Sequence, residues 1–351
     1  MSEESIVPAP RENSHFVGHD AAEAALRQLF DSGRLPHALL LSGPRGIGKA
    51  TLAFRLARFV LSGREGEGAA LTDMFGGSVS PGLATPPESG VFRRVAAGGH
   101  ADLLTVERAF DPRRKRLRSE IVVDDVREIG TFLHLTPAEG GWRIVIIDGA
   151  DAMNRNAGNA LLKILEEPPR RTLLLLLAHS PGKLLPTIRS RCRHLALSPL
   201  PNATVRELLT RYSPELGDAE AREICDLAEG SIGRALELVG SGGLELYKTM
   251  ISMLSRRNGL DQAALHAFAD RLARADGEES YRAVEGLLRQ HLAGQSITAA
   301  RSGESREAAR WARLRDDICA EFAKTDGLNL DRKQTILGAF FAIEAAASGR
   351  L

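Results

Sequence analysis

Short apolar runs alternate with amphipathic stretches through the first two hundred positions. The runs are HALLLSG (37–43), DLLTVE (102–107), WRIVIID (142–148) and TLLLLLA (172–178). They are nearly continuous rather than alternating, which is how strands covered on both faces read. Between them lie helical patterns. AAEAALRQLFDSG (21–33) and KATLAFRLARFVLSG (49–63) each end in glycine. NRNAGNALLKILEEPP (154–169) places Ala157, Ala160, Leu161, Ile164 and Leu165 on one face and stops at Pro168. Strands alternating with helices predict an α/β domain with a parallel sheet.

Two segments break this rhythm. Residues 63–100 turn to Gly, Ser and Pro, which predicts an insertion with little regular structure. RRKRLR (113–118) is a basic run, either a solvated loop or a contact for phosphate or a partner, with Arg113 and Arg114 as candidates to face a duplex. After LSPLPNAT the strand signal vanishes. Helical patterns follow at 203–212, 218–229 and 231–239, then GSGG (240–243) reads as a linker. From 244 to 351 the pattern predicts about five helices, with breaks at RRNG, ADGEE, RSGES and DGLNLD. The expected organisation is an α/β domain over 1–200, a helical lid over 201–243 and a helical domain over 244–351.

Composition narrows the class. The chain has 351 residues, a formal net charge of +1 and 26% charged residues, so nothing drives the whole chain toward nucleic acid or membrane. Its three cysteines, Cys192, Cys225 and Cys319, form no C-x-x-C pair, so neither zinc nor a disulfide framework is expected. No apolar run is long enough to span a bilayer, and a cytoplasmic protein is expected.

Candidate chemistry sits in LSGPRGIGKAT (41–51). Gly43, Gly46, Gly48 and Lys49 fit a phosphate-cradling loop between a strand and a helix, where backbone N–H groups and the helix N-terminus attract anions. Lys49 would neutralise β- and γ-phosphate charge. The next position should carry a magnesium-binding hydroxyl and is Ala50. Thr51 offers a hydroxyl one residue on, turned about 100° around the helix. Asp148, ending an apolar strand, is the expected second metal-facing carboxylate. The residue after it, where a water-polarising Glu would stand, is Gly149. Asp151 reads as a cap for the following helix.

Three segments occur in order: HALLLSGPRGIGKAT, IIDGADAMNRNAGNALLKILEEPP and LLPTIRSRCRHLAL. Together they resemble bacterial replication clamp loaders of the AAA+ class, specifically the delta-prime type of DNA polymerase III subunit. NLDRKQ (329–334) and the helical tail suit that family's collar domain.

The resemblance implies an open ring with ATP at its seams. Ser190-Arg191-Cys192 matches the motif whose arginine enters the neighbouring subunit's site. The first sensor position falls on His179 or Ser180. The second, an arginine in the lid, falls on Gly233, with Arg234 one residue on. The four-cysteine zinc module of many relatives has no counterpart here, and no metal is expected.

The family reading is therefore a largely non-catalytic stator within the DNA-directed DNA polymerase (nucleotidyltransferase) holoenzyme. It would use Arg191 in trans and require no cofactor, with weak ATP/Mg binding left open. Implied partners are gamma/tau-type ATPase subunits, delta, the sliding clamp and primed DNA, in a hetero-oligomer held by faces such as ILGAFFAI (336–343). The sequence also allows two alternatives: an active gamma/tau-like ATPase, against which Ala50, Gly149 and Gly233 stand, and a nucleotide-responsive AAA+ interaction protein outside replication.

Overall fold

The computed structural model describes residues 7–63, 82–111, 116–139, 141–255, 259–274 and 277–348. Residues 64–81 of the Gly/Pro-rich segment and the core of the basic run, including Arg113 and Arg114, lie outside the described residues.

The chain forms two compact units. The first comprises residues 1–215 and 229–233, and the second 216–228 and 234–351. In the first, α1 (Asp20–Asp31), β1 (Ala38–Ser42), α2 (Lys49–Leu61), α3 (Gly90–Ala96), β2 (Leu103–Val106), β3 (Phe110–Asp111) and β4 (Arg116–Leu117) come in order. They are followed by α4 (Val123–His134), β5 (Arg143–Asp148), α5 (Arg155–Glu166), β6 (Thr172–Ala178), α6 (Pro186–Arg189), β7 (Arg193–Ala196) and α7 (Asn202–Tyr212). Five strands form a parallel sheet in the order β2-β5-β6-β1-β7, while β3 and β4 make a separate antiparallel pair.

The continuous apolar runs are explained by two-sided burial. All seven residues of β6 and all five of β1 are buried. Side chains alternate between two cores. Leu39, Leu41, Ile144, Ile146, Leu173 and Leu175 pack with α1 and α2, whereas Leu40, Val145, Ile147, Leu174 and Leu176 pack with α4 and α5. Each fully buried leucine contributes about 1.5–3 kcal/mol, so a one-residue register slip, which exchanges the faces, is strongly disfavoured.

Three elements depart from or add to the sequence pattern. Helix α3 lies inside the stretch expected to lack regular structure. It is capped by Ser89 Oγ, which accepts from Phe92 N at 3.1 Å, and it buries Phe92 and Val95. The surrounding Gly and Pro masked its short amphipathic period. Helix α4 buries Val126, Ile129 and Leu133. Strand β7 is an edge strand with mostly exposed side chains, so it carries no apolar run.

In the second unit, α8 (Asp218–Ala228) precedes α9 (Ile232–Gly240), whose first two residues belong to the first unit. Only Ser241 and Gly242 separate α9 from α10 (Gly243–Leu254), so GSGG is a tight turn. Then come α11 (Gln262–Ala273), α12 (Glu278–Arg301), α13 (Ser305–Leu328) and α14 (Arg332–Ala347), interrupted at the four breaks in the sequence pattern. Asp261 and Asp331 cap α11 and α14 through backbone amides. Phe268–Phe340 and Tyr281–Phe322 ring contacts tie the helices together, at 6.0 and 5.1 Å between centroids.

Candidate functional site

Lys49 is buried at the start of α2. Its Nζ donates to Gly43 O at 2.8 Å and Pro44 O at 2.6 Å, so the ammonium is turned onto its own loop. The next three carbonyls are also engaged. Arg45 O accepts from Ser231 Oγ at 2.8 Å and Gly46 O from Gly233 N at 2.9 Å. Ile47 O accepts from His19 Nε2 at 2.8 Å, which fixes that ring nitrogen as the protonated one, since a carbonyl cannot donate. Five successive carbonyls of the glycine turn, 43 to 47, are thus held by the chain itself. Burial pushes the Lys49 ammonium down to about 8, against the pull of Asp148 and Asp151. Burial also raises the Asp148 carboxyl, helped by the Glu107 charge and opposed by Lys49.

The positions that depart from an ATPase pattern have local structural reasons. Ala50 is half-buried against the apolar core and offers no side-chain oxygen at the first turn of α2. Thr51 is half-buried on α2. Gly149 has φ 75°, opening the turn after β5. A side chain there would take a left-handed conformation costing about 1–2 kcal/mol. Gly233 packs so closely that a Cβ would stand 2.8 Å from Gly46 Cα. Arg234 serves the second unit, where its guanidinium donates to Gln290 Oε1 at 2.5 Å and Gly286 O at 3.3 Å.

Asp151 does not cap α5. Asn154 does, its side chain accepting from Ala157 N at 2.9 Å. Asp151 instead accepts from His179 N at 3.2 Å and Ser180 N at 2.9 Å, tying the end of β6 to the turn after β5. A carboxylate facing two successive amides across strand ends leaves no local sequence signal. Spacing alone therefore points to the nearer helix cap.

Arg191 lies apart from this cradle, just after α6. Its base is fixed: Ile188 and Cys192 are buried, and Arg191 N donates to Ile188 O. Its side chain is 37% exposed, with Nη2 2.8 Å from Glu166 Oε1 and Nη1 3.1 Å from Thr187 O. Among the described residues no group of three or more His, Cys, Asp or Glu could hold a metal ion. No helix among them is long and apolar enough to cross a membrane.

Sheet order, glycine turn and Asp-terminated β5 define a P-loop α/β domain. The sequence model of the family described as DNA polymerase III, delta subunit, matches residues 18–201, and the chain belongs to that family. It is 37% identical to DNA polymerase III subunit delta' of Pseudomonas aeruginosa over 221 residues, 63% of this chain and 61% of that protein. It is 31% identical to the gamma/tau subunit of Mycobacterium tuberculosis over 287 residues, 80% of this chain and 46% of that protein. A DNA polymerase III gamma subunit-related protein of Thermotoga maritima aligns with a TM-score of 0.49 and 19% identity, over 92% of this chain and 99% of that one. The chain thus spans between about half and three fifths of the curated relatives quoted.

Proposed function

We propose that the chain is a clamp-loader subunit that does not turn over ATP itself and supplies Arg191 to the site of a neighbouring ATPase subunit. The observation that carries this reading is a contrast in accessibility. The Lys49 ammonium is bound to the carbonyls of its own loop, whereas Arg191 stands at the surface on a rigid base. Freeing Lys49 breaks two charge-assisted hydrogen bonds, each of which contributes about 1.5–3 kcal/mol. A metal-bound nucleotide would then find no side-chain oxygen at Ala50 for its magnesium. The residues present therefore do not fit ATP/Mg.

In trans, the guanidinium spreads charge away from a γ-phosphate as bonds to it loosen, without a proton transfer. Gamma/tau-type subunits would receive it, with delta, the sliding clamp and primed DNA completing the assembly in the bacterial replisome. Residues 244–351 would form the oligomerising collar. Similarity to gamma/tau proteins favours a second reading, an active ATPase. Titration of labelled ATP and ADP with magnesium, followed by turnover of the isolated chain, separates the two. The stator reading expects no saturable binding below about 1 mM, the upper end of ordinary enzyme substrate affinities, and no hydrolysis. Robust magnesium-dependent hydrolysis would establish the second reading instead.

A further inference from the structure

Arg191 is paired with Glu166, a residue outside the Ser190-Arg191-Cys192 motif. Glu166 is the last residue of α5 and is followed by Glu167 at the cap. Carboxylates at a helix C-terminus face the negative end of the helix dipole, so this is a position that calls for a cation. Arg191 fills that need at 2.8 Å. The two segments meet because α6 lies close on α5: a Cβ at Gly158 would stand 3.0 Å from Leu185 Cδ1 and 3.6 Å from Ile188 Cδ1. The α5–α6 packing and the buried Ile188 and Cys192 thus fix the backbone at Arg191. Glu166 and the Thr187 carbonyl then hold both terminal guanidinium nitrogens.

We infer that Glu166 is a positioning residue for Arg191, holding the guanidinium in the orientation it presents to a partner's phosphate. An arginine left loose on the surface loses about 2 kcal/mol of rotamer freedom when it docks. One already clamped through two of its five N–H donors loses less, and keeps the others for a phosphate oxygen. The carboxylate touches neither nucleotide nor reacting atoms and acts only through Arg191. This inference rests on the trans role proposed above for Arg191.

The test uses the reconstituted loader with clamp and primed DNA, comparing kcat and KM for ATP in Glu166→Ala, Glu166→Gln, Arg191→Ala and the Glu166→Ala/Arg191→Ala pair, with complex mass checked for each. The expected result is a fall in kcat of about two- to five-fold for Glu166→Ala, in keeping with a half-exposed ion pair, with KM unchanged. Glu166→Gln, which keeps the acceptor, should stay closer to wild type. The double variant should be no slower than Arg191→Ala alone. If Arg191→Ala is slow while Glu166→Ala matches or exceeds wild type, Glu166 does not position the arginine and the inference is overturned, with the trans role intact. If Arg191→Ala turns over like wild type, the trans role fails and the inference falls with it.

Discussion

The seat of Gly233 on the glycine turn gives a sharp quantitative prediction. In Gly233→Ala the added methyl would start 2.8 Å from Gly46 Cα and 3.3 Å from Gly46 O. Ordinary carbon–carbon contact is about 3.5–4.0 Å, so turn and helix must separate by about 1 Å. The cost has two parts, overpacking of about 1–3 kcal/mol and weakening of the Gly233 N to Gly46 O bond, about 1 kcal/mol. Alanine's helix preference offsets about 1 kcal/mol. The net loss is about 1–3 kcal/mol, or roughly 2–10 °C in the thermal transition of a unit this size. Differential scanning calorimetry reads it directly. Gly240→Ala is the control, because a Cβ there meets nothing within 4 Å at the other end of the same helix. A Gly233→Ala Tm at or above wild type would refute the close seating, and with it the reason an arginine is excluded from this position.

Three further outcomes are expected. The lowered Lys49 ammonium means the unfolded chain holds a proton that the folded chain has released between pH 8 and 10.5. The Lys49 contribution to stability therefore rises with pH across that window, by about 3 kcal/mol at most. Chemical denaturation of wild type and Lys49→Met at pH 7.5 and 10.5 should show the difference growing in favour of wild type. Asp151→Ala strips the acceptor from the His179 and Ser180 amides, which water partly replaces. It should lower stability by about 1 kcal/mol, with Asp151→Asn intermediate in the same melt. Arg58 is buried, donates to Arg11 O and Asn13 O at 2.8 Å each, and stacks 4.4 Å from the Phe92 ring centroid. Arg58→Lys cannot span both carbonyls, should cost about 2 kcal/mol, and should speed proteolysis within residues 9–15.

The sheet was legible because β1, β5 and β6 are covered on both faces and leave near-continuous apolar runs. The same physics hid β7, whose exposed edge carries Arg193 and His194. Helix α3 was hidden by its neighbours' composition. At the cradle, Gly43, Gly46, Gly48, Lys49 and Asp148 announced their places through a fixed spacing, and the departures at Ala50 and Gly149 were equally plain. What no spacing encodes is the long-range satisfaction of polar groups: Ser231 on Arg45 O, His19 on Ile47 O, Asp151 on the amides after β6. The Glu166–Arg191 pair belongs to the same class, since two residues 25 positions apart meet only through the packing of α6 on α5.

The most direct test of the account is ATP hydrolysis by the fully assembled loader carrying Arg191→Ala in this subunit alone, stimulated by clamp and primed DNA. A trans-acting arginine is worth about 10³-fold or more at the site it serves. Turnover at that site should therefore all but cease, while complex mass and the Tm of the isolated subunit stay at wild-type values. Clamp-stimulated hydrolysis equal to wild type at every site would contradict the account.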